Sequence, residues 1–210
     1  NIYSISKAAG RSPCKASCPA GVNAQGYVAL IAAKKFKEAY ELIRERAPLP
    51  AACGRVCQHP CQSECNRAEV DEAVNVRDLK RFAADWMYAH RSEIPAVPAV
   101  PAQKETVAVV GGGPAGLTAA FDLASQGYGV TVFESAPELG GMLRYGIPAY
   151  RLEKEVLDFE VRQILGMGVK AKCNTRVDDP RKLLKSGGDG AEKFDAVFLA
   201  PGAWISRKLN

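Results

Sequence analysis

The spacing of the cysteines constrains this chain more than any other feature of its sequence. The sequence has seven cysteines, and all but one lie in its first third, at Cys14, Cys18, Cys53, Cys57, Cys61 and Cys65. An odd total with close, regular spacing argues against a secreted disulfide framework and favours metal binding in a reducing compartment. Thiolates at this density are typical ligands of zinc and of iron–sulfur clusters. The pattern therefore predicts a metal-binding, cytoplasmic protein.

The last four of these cysteines recur at every fourth residue, yet they cannot all bind one cluster from a straight helix. Twelve residues of helix rise about 18 Å, several times the width of a cubane cluster. Pro60 should also break any helix between Cys57 and Cys61. We therefore expect the ligands to converge from two segments, residues 14–18 and 53–65. Paired C-x2-C knuckles, typical of zinc ribbons, do not occur in the sequence, so zinc is the weaker alternative.

The chain of 210 residues divides into three regions by composition. Residues 1–94 have helical periodicity, residues 95–104 form a proline-rich linker, and residues 105–210 alternate strand and helix patterns. This order predicts an α+β multidomain protein: an all-α domain followed by an incomplete α/β Rossmann-type domain. The net charge of +5 is modest and its lysines and arginines are scattered, so we expect no nucleic-acid partner. We also expect no membrane insertion, since no apolar run reaches about 18 residues.

Apolar spacing predicts the individual elements. We expect helices over residues 22–34, 36–46, 74–90, 114–126 and 152–165, and strands over 106–111, 129–134 and 194–200. The strands read as buried, parallel ones. In the third helix, Val76, Leu79, Phe82, Ala83 and Trp86 should share the buried face.

A glycine fingerprint opens the second domain. Gly111-x-Gly113-x-x-Gly116 follows a predicted strand and begins a predicted helix, which is the context that dinucleotide binding requires. The three glycines permit the tight turn, the approach of the pyrophosphate and close helix–strand packing, respectively. Glu134 ends the next strand and is placed to accept hydrogen bonds from the adenosine ribose, which favours FAD or NAD over NADP. Contacts with the cofactor should extend through the helix start at Pro114, Ala115 and Leu117.

The cysteine region resembles a known domain. The motifs Cys14-x3-Cys18-Pro19, Pro48-Leu49-Pro50, Cys53-Gly54-Arg55-Val56-Cys57, His59-Pro60-Cys61 and Leu79-Lys80-Arg81-Phe82 are similar to the helical iron–sulfur domain shared by the glutamate synthase small subunit, dihydropyrimidine dehydrogenase and related transhydrogenases. That family domain typically carries two [4Fe–4S] clusters.

Two departures from the family bear on the number of clusters. Residues 1–13 lack the upstream C-x2-C pair, and Lys80 stands near a position where dihydropyrimidine dehydrogenase has a polar ligand. An ammonium group cannot bind iron. We therefore favour one [4Fe–4S] cluster, with two as the alternative. Its core ligands would be Cys18, Cys57 and Cys61, with Cys14, Cys53 or Cys65 as the fourth.

The second domain resembles the FAD domain of the same family, through Gly140-Gly141-Met142-Leu143-Arg144-Tyr145-Gly146-Ile147-Pro148 and the strand that ends at Ala200-Pro201-Gly202. The resemblance implies that Gly141, Met142 and Leu143 line the flavin and that Arg151 contacts the phosphate–ribose region. It also implies that Val177 meets the adenine through its backbone and that Gly202 lies in a turn near the FAD.

The function these resemblances imply is electron transfer between NAD(P)H, FAD and a [4Fe–4S] cluster, on to a partner subunit or domain. No acid–base or nucleophilic catalytic set is visible. Because the family places an NAD(P)H-binding domain after the turn at Gly202, we expect these residues to be part of a longer protein. The alternatives are a non-catalytic electron-conducting or assembly subunit of a redox complex, and a zinc-stapled NAD-binding module.

Overall fold

The computed structural model describes residues 12–93, 100–184 and 193–203. They divide into two compact units. The first contains residues 12–93 together with Tyr150–Val156, and the second contains the remaining described residues. Half of the predicted linker, residues 95–99 of 95–104, lies outside the described residues.

The first unit is helical, as the periodicity of its sequence predicts. Its helices are α1 (Pro13–Ala16), α2 (Ala24–Ala32), α3 (Phe36–Arg44), α4 (Pro50–Val56), α5 (Pro60–Ser63) and α6 (Val76–Ala89), with 3-10 turns at Asn66–Glu69 and Arg91–Glu93. The three long helices predicted here are confirmed to within two residues at each end. The side chain of Asn23 begins α2 by accepting a hydrogen bond from the amide of Gly26 at 3.1 Å.

The buried face of α6 agrees with the predicted one at Val76 and Ala83, and Leu79 and Trp86 pack against the core, but the prediction is wrong for Phe82. The residues of α6 that are buried are Val76, Lys80, Ala83, Ala84 and Met87. Phe82 is instead 44% exposed and lies edge-on to Phe36, with ring centroids 5.1 Å apart. The face rotates because α6 crosses α4 closely: a Cβ on Gly54 of α4 would lie 2.7 Å from the Cα of Arg81. Close helix contact selects small residues on α6 and leaves its larger aromatic side chains at the rim.

The second unit is built on a parallel sheet with strand order β3-β2-β1-β4. The strands are β1 (Thr106–Val110), β2 (Gly129–Phe133), β3 (Lys170–Lys172) and β4 (Ala196–Leu199). Three helices belong to this part of the sequence: α7 (Pro114–Ser125), α8 (Met142–Tyr145) and α9 (Lys154–Leu165), of which the first residues of α9 fall in the other unit. The predicted α+β architecture with a Rossmann-type sheet is thereby confirmed.

The strands differ in burial. Ala108 and Val109 of β1 and Val132 of β2 are fully buried, as predicted for a parallel sheet. The expectation that β4 is also buried is wrong, because Phe198 is 43% and Leu199 56% exposed. Within the described residues β4 pairs only with β1, which makes it an edge strand. No helix of the described part of the chain is long and apolar enough to cross a membrane.

Candidate functional site

The segment 53–65 changes direction between its cysteines. Helix α4 ends at Val56, and Cys57 is extended with φ −63° and ψ 138°. His59 then adopts a left-handed conformation, with φ 47°, directly before Pro60 begins α5. The break predicted at Pro60 is therefore confirmed, and it separates the direction of Cys57 from that of Cys61.

The thiols gather around one buried tyrosine. Tyr27 is 1% exposed, and its hydroxyl donates a hydrogen bond to the carbonyl of Val76 at 2.8 Å. Burial raises the pKa of this hydroxyl, and nearby thiolates raise it further because they disfavour a second negative charge. In decreasing order of effect these thiolates belong to Cys61, Cys14, Cys18 and Cys57. The two predicted segments, 14–18 and 53–65, thus do approach each other.

Cys61 lies at the centre of this thiol group. Burial raises the pKa of the Cys61 thiol, and Cys18 and Cys57 raise it further, whereas the ammonium of Lys80 lowers it. Cys18 and Cys57, the other two cysteines that we favour as core ligands, therefore both lie near enough to Cys61 to act on its charge. A buried group of thiols binds metal with release of protons, since iron takes the thiolate form.

Cys14 and Cys65 line a cavity of about 220 Å³, together with Ser12, Val28, Arg67 and Val76. The Cys14 thiol lies 3.3 Å from the hydroxyl of Ser12. Cys53 packs against the same apolar core as Cys14, Cys18 and Cys61. Cys14 is therefore common to the thiol group at Tyr27 and to this cavity.

All seven cysteines are free thiols and are partly buried. In residues 12–93, 100–184 and 193–203, no three His, Cys, Asp or Glu side chains form a ready site for a single metal ion. A group of soft thiolates that is partly shielded from water fits the chemistry of an iron–sulfur cluster, whose ligands stand further apart than those of one ion. Cys173 is partly buried in the other unit.

His59 contributes through its backbone. Its amide donates a hydrogen bond to the Cys57 sulfur, with 3.3 Å between nitrogen and sulfur. The ring nitrogen Nδ1 is buried without a hydrogen-bond partner in the described residues. Amide hydrogen bonds to cysteine sulfur are among the features that set cluster potentials.

Sequence reasoning did not identify two residues of this region as functional. They are Tyr27 and Lys80, and of Lys80 the sequence shows only that an ammonium group cannot bind iron. The helical spacing of Lys80 from Val76, Ala83 and Ala84 is the signal that places it on the buried face.

The glycine turn of the second unit follows β1 and begins α7. Gly111 has φ 107°, and a Cβ there would lie 2.1 Å from the carbonyl oxygen of Ala200. A Cβ on Gly116 would lie 1.9 Å from the carbonyl oxygen of Gly111. These two positions accept only glycine because the protein's own backbone fills the space.

Gly113 differs from its neighbours in the fingerprint. Its φ is −78°, and the nearest atom to an added Cβ would be the Cα of Gly141, at an ordinary contact distance of 3.7 Å. The amide of Gly140 donates to the carbonyl of Gly112 at 2.8 Å, which holds this second glycine segment against the turn. The described residues thus leave space above Gly113 that a side chain would occupy, as a site for a pyrophosphate requires.

The side chain of Glu134 is hydrogen-bonded to the glycine turn. One carboxylate oxygen accepts from the amide of Gly112 at 2.7 Å, and the other accepts from the amide of Ala136 at 2.8 Å. The residue is 5% exposed. Glu134 therefore positions the glycine turn, and it also places negative charge at the end of β2 as predicted.

The other predicted cofactor residues occupy several environments. Leu117 is fully buried and its amide donates to Gly113, whereas Pro114 and Ala115 are exposed. Met142 is 48% exposed and Leu143 is 9% exposed.

Three more residues complete that set. Val177 is partly buried beside Phe133, Arg151 is exposed within Tyr150–Val156, and Gly202 has φ 70° in the exposed turn after β4. Their contacts with a cofactor stay predictions.

Two family models match the chain. Residues 7–92 match dihydropyrimidine dehydrogenase domain II, 4Fe-4S cluster, and residues 109–171 match an NAD(P)-binding Rossmann-like domain. The resemblance drawn from the cysteine motifs is thereby confirmed.

Curated relatives match nearly the whole chain. The beta subunit of NADPH-Fe(3+) oxidoreductase from Geobacter sulfurreducens is 42% identical over 201 residues, which cover 95% of this chain and 29% of the relative. The beta subunit of NADP(+)-dependent formate dehydrogenase from Moorella thermoacetica is 37% identical over 95% of this chain and 30% of its own. Subunit PreT of NAD-dependent dihydropyrimidine dehydrogenase from Escherichia coli is 39% identical over 92% of this chain and 47% of its own. All three are oxidoreductase subunits, and the chain spans less than half the length of each.

Proposed function

We propose that this chain is the cofactor-bearing part of an NAD(P)H-dependent oxidoreductase, with FAD at the glycine turn and one [4Fe–4S] cluster in the cysteine unit. The proposal depends mainly on the thiols from two distant segments, which lie near Tyr27. The family model that matches this part of the chain is named for a 4Fe-4S cluster. In the complete protein, electrons would pass from NAD(P)H towards a partner subunit or domain. The free thiols also favour a reducing, cytoplasmic setting.

Flavin takes up an electron pair as a hydride and releases electrons singly, whereas an iron–sulfur cluster carries one electron at a time. The chain's own residues supply binding and orientation. The turn at Gly111 and Gly113 would admit the pyrophosphate, and the first turn of α7 would direct its positive dipole end at the phosphates. Glu134 would accept a hydrogen bond from the ribose through a lone pair that the amides of Gly112 and Ala136 and the hydroxyl of Ser135 leave free.

The choice of FAD over a nicotinamide cofactor at this turn has two supports. The carboxylate of Glu134 would repel the 2′-phosphate of NADP. The segment Gly140–Gly141 lies against the turn, and its sequence resembles the flavin-lining segment of the glutamate synthase small subunit. NAD(P)H would then bind to a further domain of the complete protein.

The test is to isolate the complete protein without oxygen and to identify its cofactors. We expect an absorption spectrum with a flavin band and an iron–sulfur shoulder, FAD in the extract, and about four iron and four sulfide atoms per chain. Addition of NADPH or NADH should bleach both features. About eight iron atoms would establish a second cluster.

Other results would contradict the proposal. A colourless, metal-free protein would show that neither FAD nor the cluster is bound. Bound zinc together with NAD would establish the zinc-stapled NAD-binding module. Reduction by a partner protein but by neither nicotinamide would establish the electron-conducting subunit.

A further inference from the structure

Lys80 is a buried cation without a carboxylate partner in the described residues. It is 8% exposed, on the face of α6 that packs into the first unit. Lysine is almost never this buried unless it is paired, because loss of hydration disfavours its charge. Arg55, the other buried cation of that unit, does have a partner, since it contacts the carboxylate of Asp85 at 2.7 Å.

The surroundings of Lys80 are fixed by contacts between α5 and α6. These two helices pack together, and the side chain of Gln62 accepts a hydrogen bond from the amide of Arg77 at 3.0 Å. Gln62 is adjacent to Cys61, and Arg77 precedes Lys80 by about one helical turn. Val76 and Ala83, which lie on the same face of α6 as Lys80, belong to the apolar core against which Cys18 and Cys61 pack. Lys80 therefore lies on the side of α6 that packs towards these thiols, and its ammonium opposes the larger effect of burial on the pKa of the Cys61 thiol.

We propose that Lys80 is the built-in counter-ion of the iron–sulfur cluster, which stabilises the reduced cluster and so raises its reduction potential. This inference rests on the proposed function, since it requires a cluster at these thiols. A thiolate-ligated [4Fe–4S] cluster is an anion whose negative charge increases by one on reduction. A cation in a water-poor site interacts more strongly with the reduced form than with the oxidised form. Lys80, which cannot bind iron, would thus act on the cluster through its charge.

The experiment is a potentiometric titration of the complete holoprotein, followed by the electron paramagnetic resonance signal of the reduced cluster. Lys80→Met removes the charge and keeps the length of the side chain, and Lys80→Arg keeps the charge. Lys35→Met is the matched control, since it removes one positive charge from an exposed position in the same unit. We expect the ratio of reduced to oxidised cluster at a fixed potential to fall at least about tenfold in Lys80→Met, a shift of about 59 mV for one electron. Lys80→Arg and Lys35→Met should change this ratio less than about threefold.

An unchanged potential in Lys80→Met would overturn the proposal and leave Lys80 as a packing residue whose head reaches water. If Lys80→Met loses iron and sulfide while Lys80→Arg retains them, the charge is required for assembly, which supports the counter-ion. If both variants fold by circular dichroism but neither holds a cluster, charge is not the property that matters and the proposal fails. A wild-type protein without iron and sulfide would instead refute the proposed function itself.

Discussion

The two units of the chain position their candidate cofactor residues in different ways. In the second unit, Gly111, Gly113 and Gly116 lie within one turn and the start of α7, so a short stretch of sequence sets most of the geometry. In the first unit, Cys18 and Cys61 are brought together by the packing of separate helices around Tyr27. The first site therefore depends on a whole core, whereas the second depends on close backbone contacts.

The largest expected effect is loss of the cluster when a central thiol is removed. Cys61→Ala should reduce the iron content from about four atoms per chain to nearly none, because Cys61 lies among the other thiols. Cys173→Ala, in the other unit, is the matched control and should retain all the iron. Iron and sulfide assays measure both, and full retention of iron by Cys61→Ala would show that the thiols do not act together.

The next effect separates the glycines of the fingerprint. Gly116→Ala should destabilise the second unit by about 3 kcal/mol, because its Cβ would lie 1.9 Å from the carbonyl oxygen of Gly111. Gly113→Ala should change the free energy of unfolding by less than about 0.5 kcal/mol. It should nonetheless weaken FAD binding at least about tenfold, since the added methyl group occupies space left for the pyrophosphate.

Urea unfolding and FAD titration together test this distinction. If Gly113→Ala bound FAD as tightly as the wild type, the space above Gly113 would not be the pyrophosphate site. Equal stability of the two variants would contradict the assignment of Gly116 to backbone packing.

A smaller effect concerns two arginines that contact the same carboxylate in the first unit. Arg55 has a 5% exposed side chain and lies 2.7 Å from Asp85, whereas Arg81 has a 49% exposed side chain and lies 3.2 Å from it. Arg55→Met should lower the free energy of unfolding by about 2 kcal/mol, and Arg81→Met by about 0.5 kcal/mol, since water screens the exposed pair. Similar losses in urea unfolding would show that burial does not separate these two pairs.

The smallest effect is expected from exposed carboxylates, on which the two units should not differ. The pKa of Asp179 lies below its ordinary value, first because of the Arg181 side chain, and the pKa of Asp78 is lowered first by Arg77. A depressed pKa stabilises the folded state above the ordinary value of 3.8 and loses this effect as the pH falls through the folded-state value. Asp179→Asn and Asp78→Asn should therefore melt slightly below the wild type at pH 7 and together with it near pH 2. A difference that grew on acidification would reverse the sign of this argument.

The second unit was the easier to predict from sequence. Strands of β-branched residues, a glycine turn and an acid at the end of β2 are local signals, and each appears at its predicted place. The error at β4 arose because the sequence of a buried strand and that of an edge strand are alike until the neighbours are known. The space above Gly113 also became visible only when Gly141 was placed against it.

Fewer features of the first unit could be predicted from its sequence. The break at Pro60 could be predicted because proline excludes a continuous helix. Which cysteines lie near Tyr27 could not be predicted, since this depends on how α1, α2 and α5 pack. The periodicity of α6 suggested an aromatic face, whereas close approach to α4 at Gly54 placed Lys80 and Ala84 inside.

By itself, the sequence determined the kinds of group this protein can hold: soft thiolates for a cluster, and a glycine turn with an acid for a dinucleotide. These follow from residue chemistry and from local backbone constraints, which do not depend on distant contacts. Only the tertiary structure decided which thiols lie together, that Gly113 alone in its fingerprint leaves room for a ligand, and that Lys80 shares the buried face of α6 with residues of the core against which the thiols pack. Those properties arise from packing between segments far apart in the chain, which local sequence does not specify.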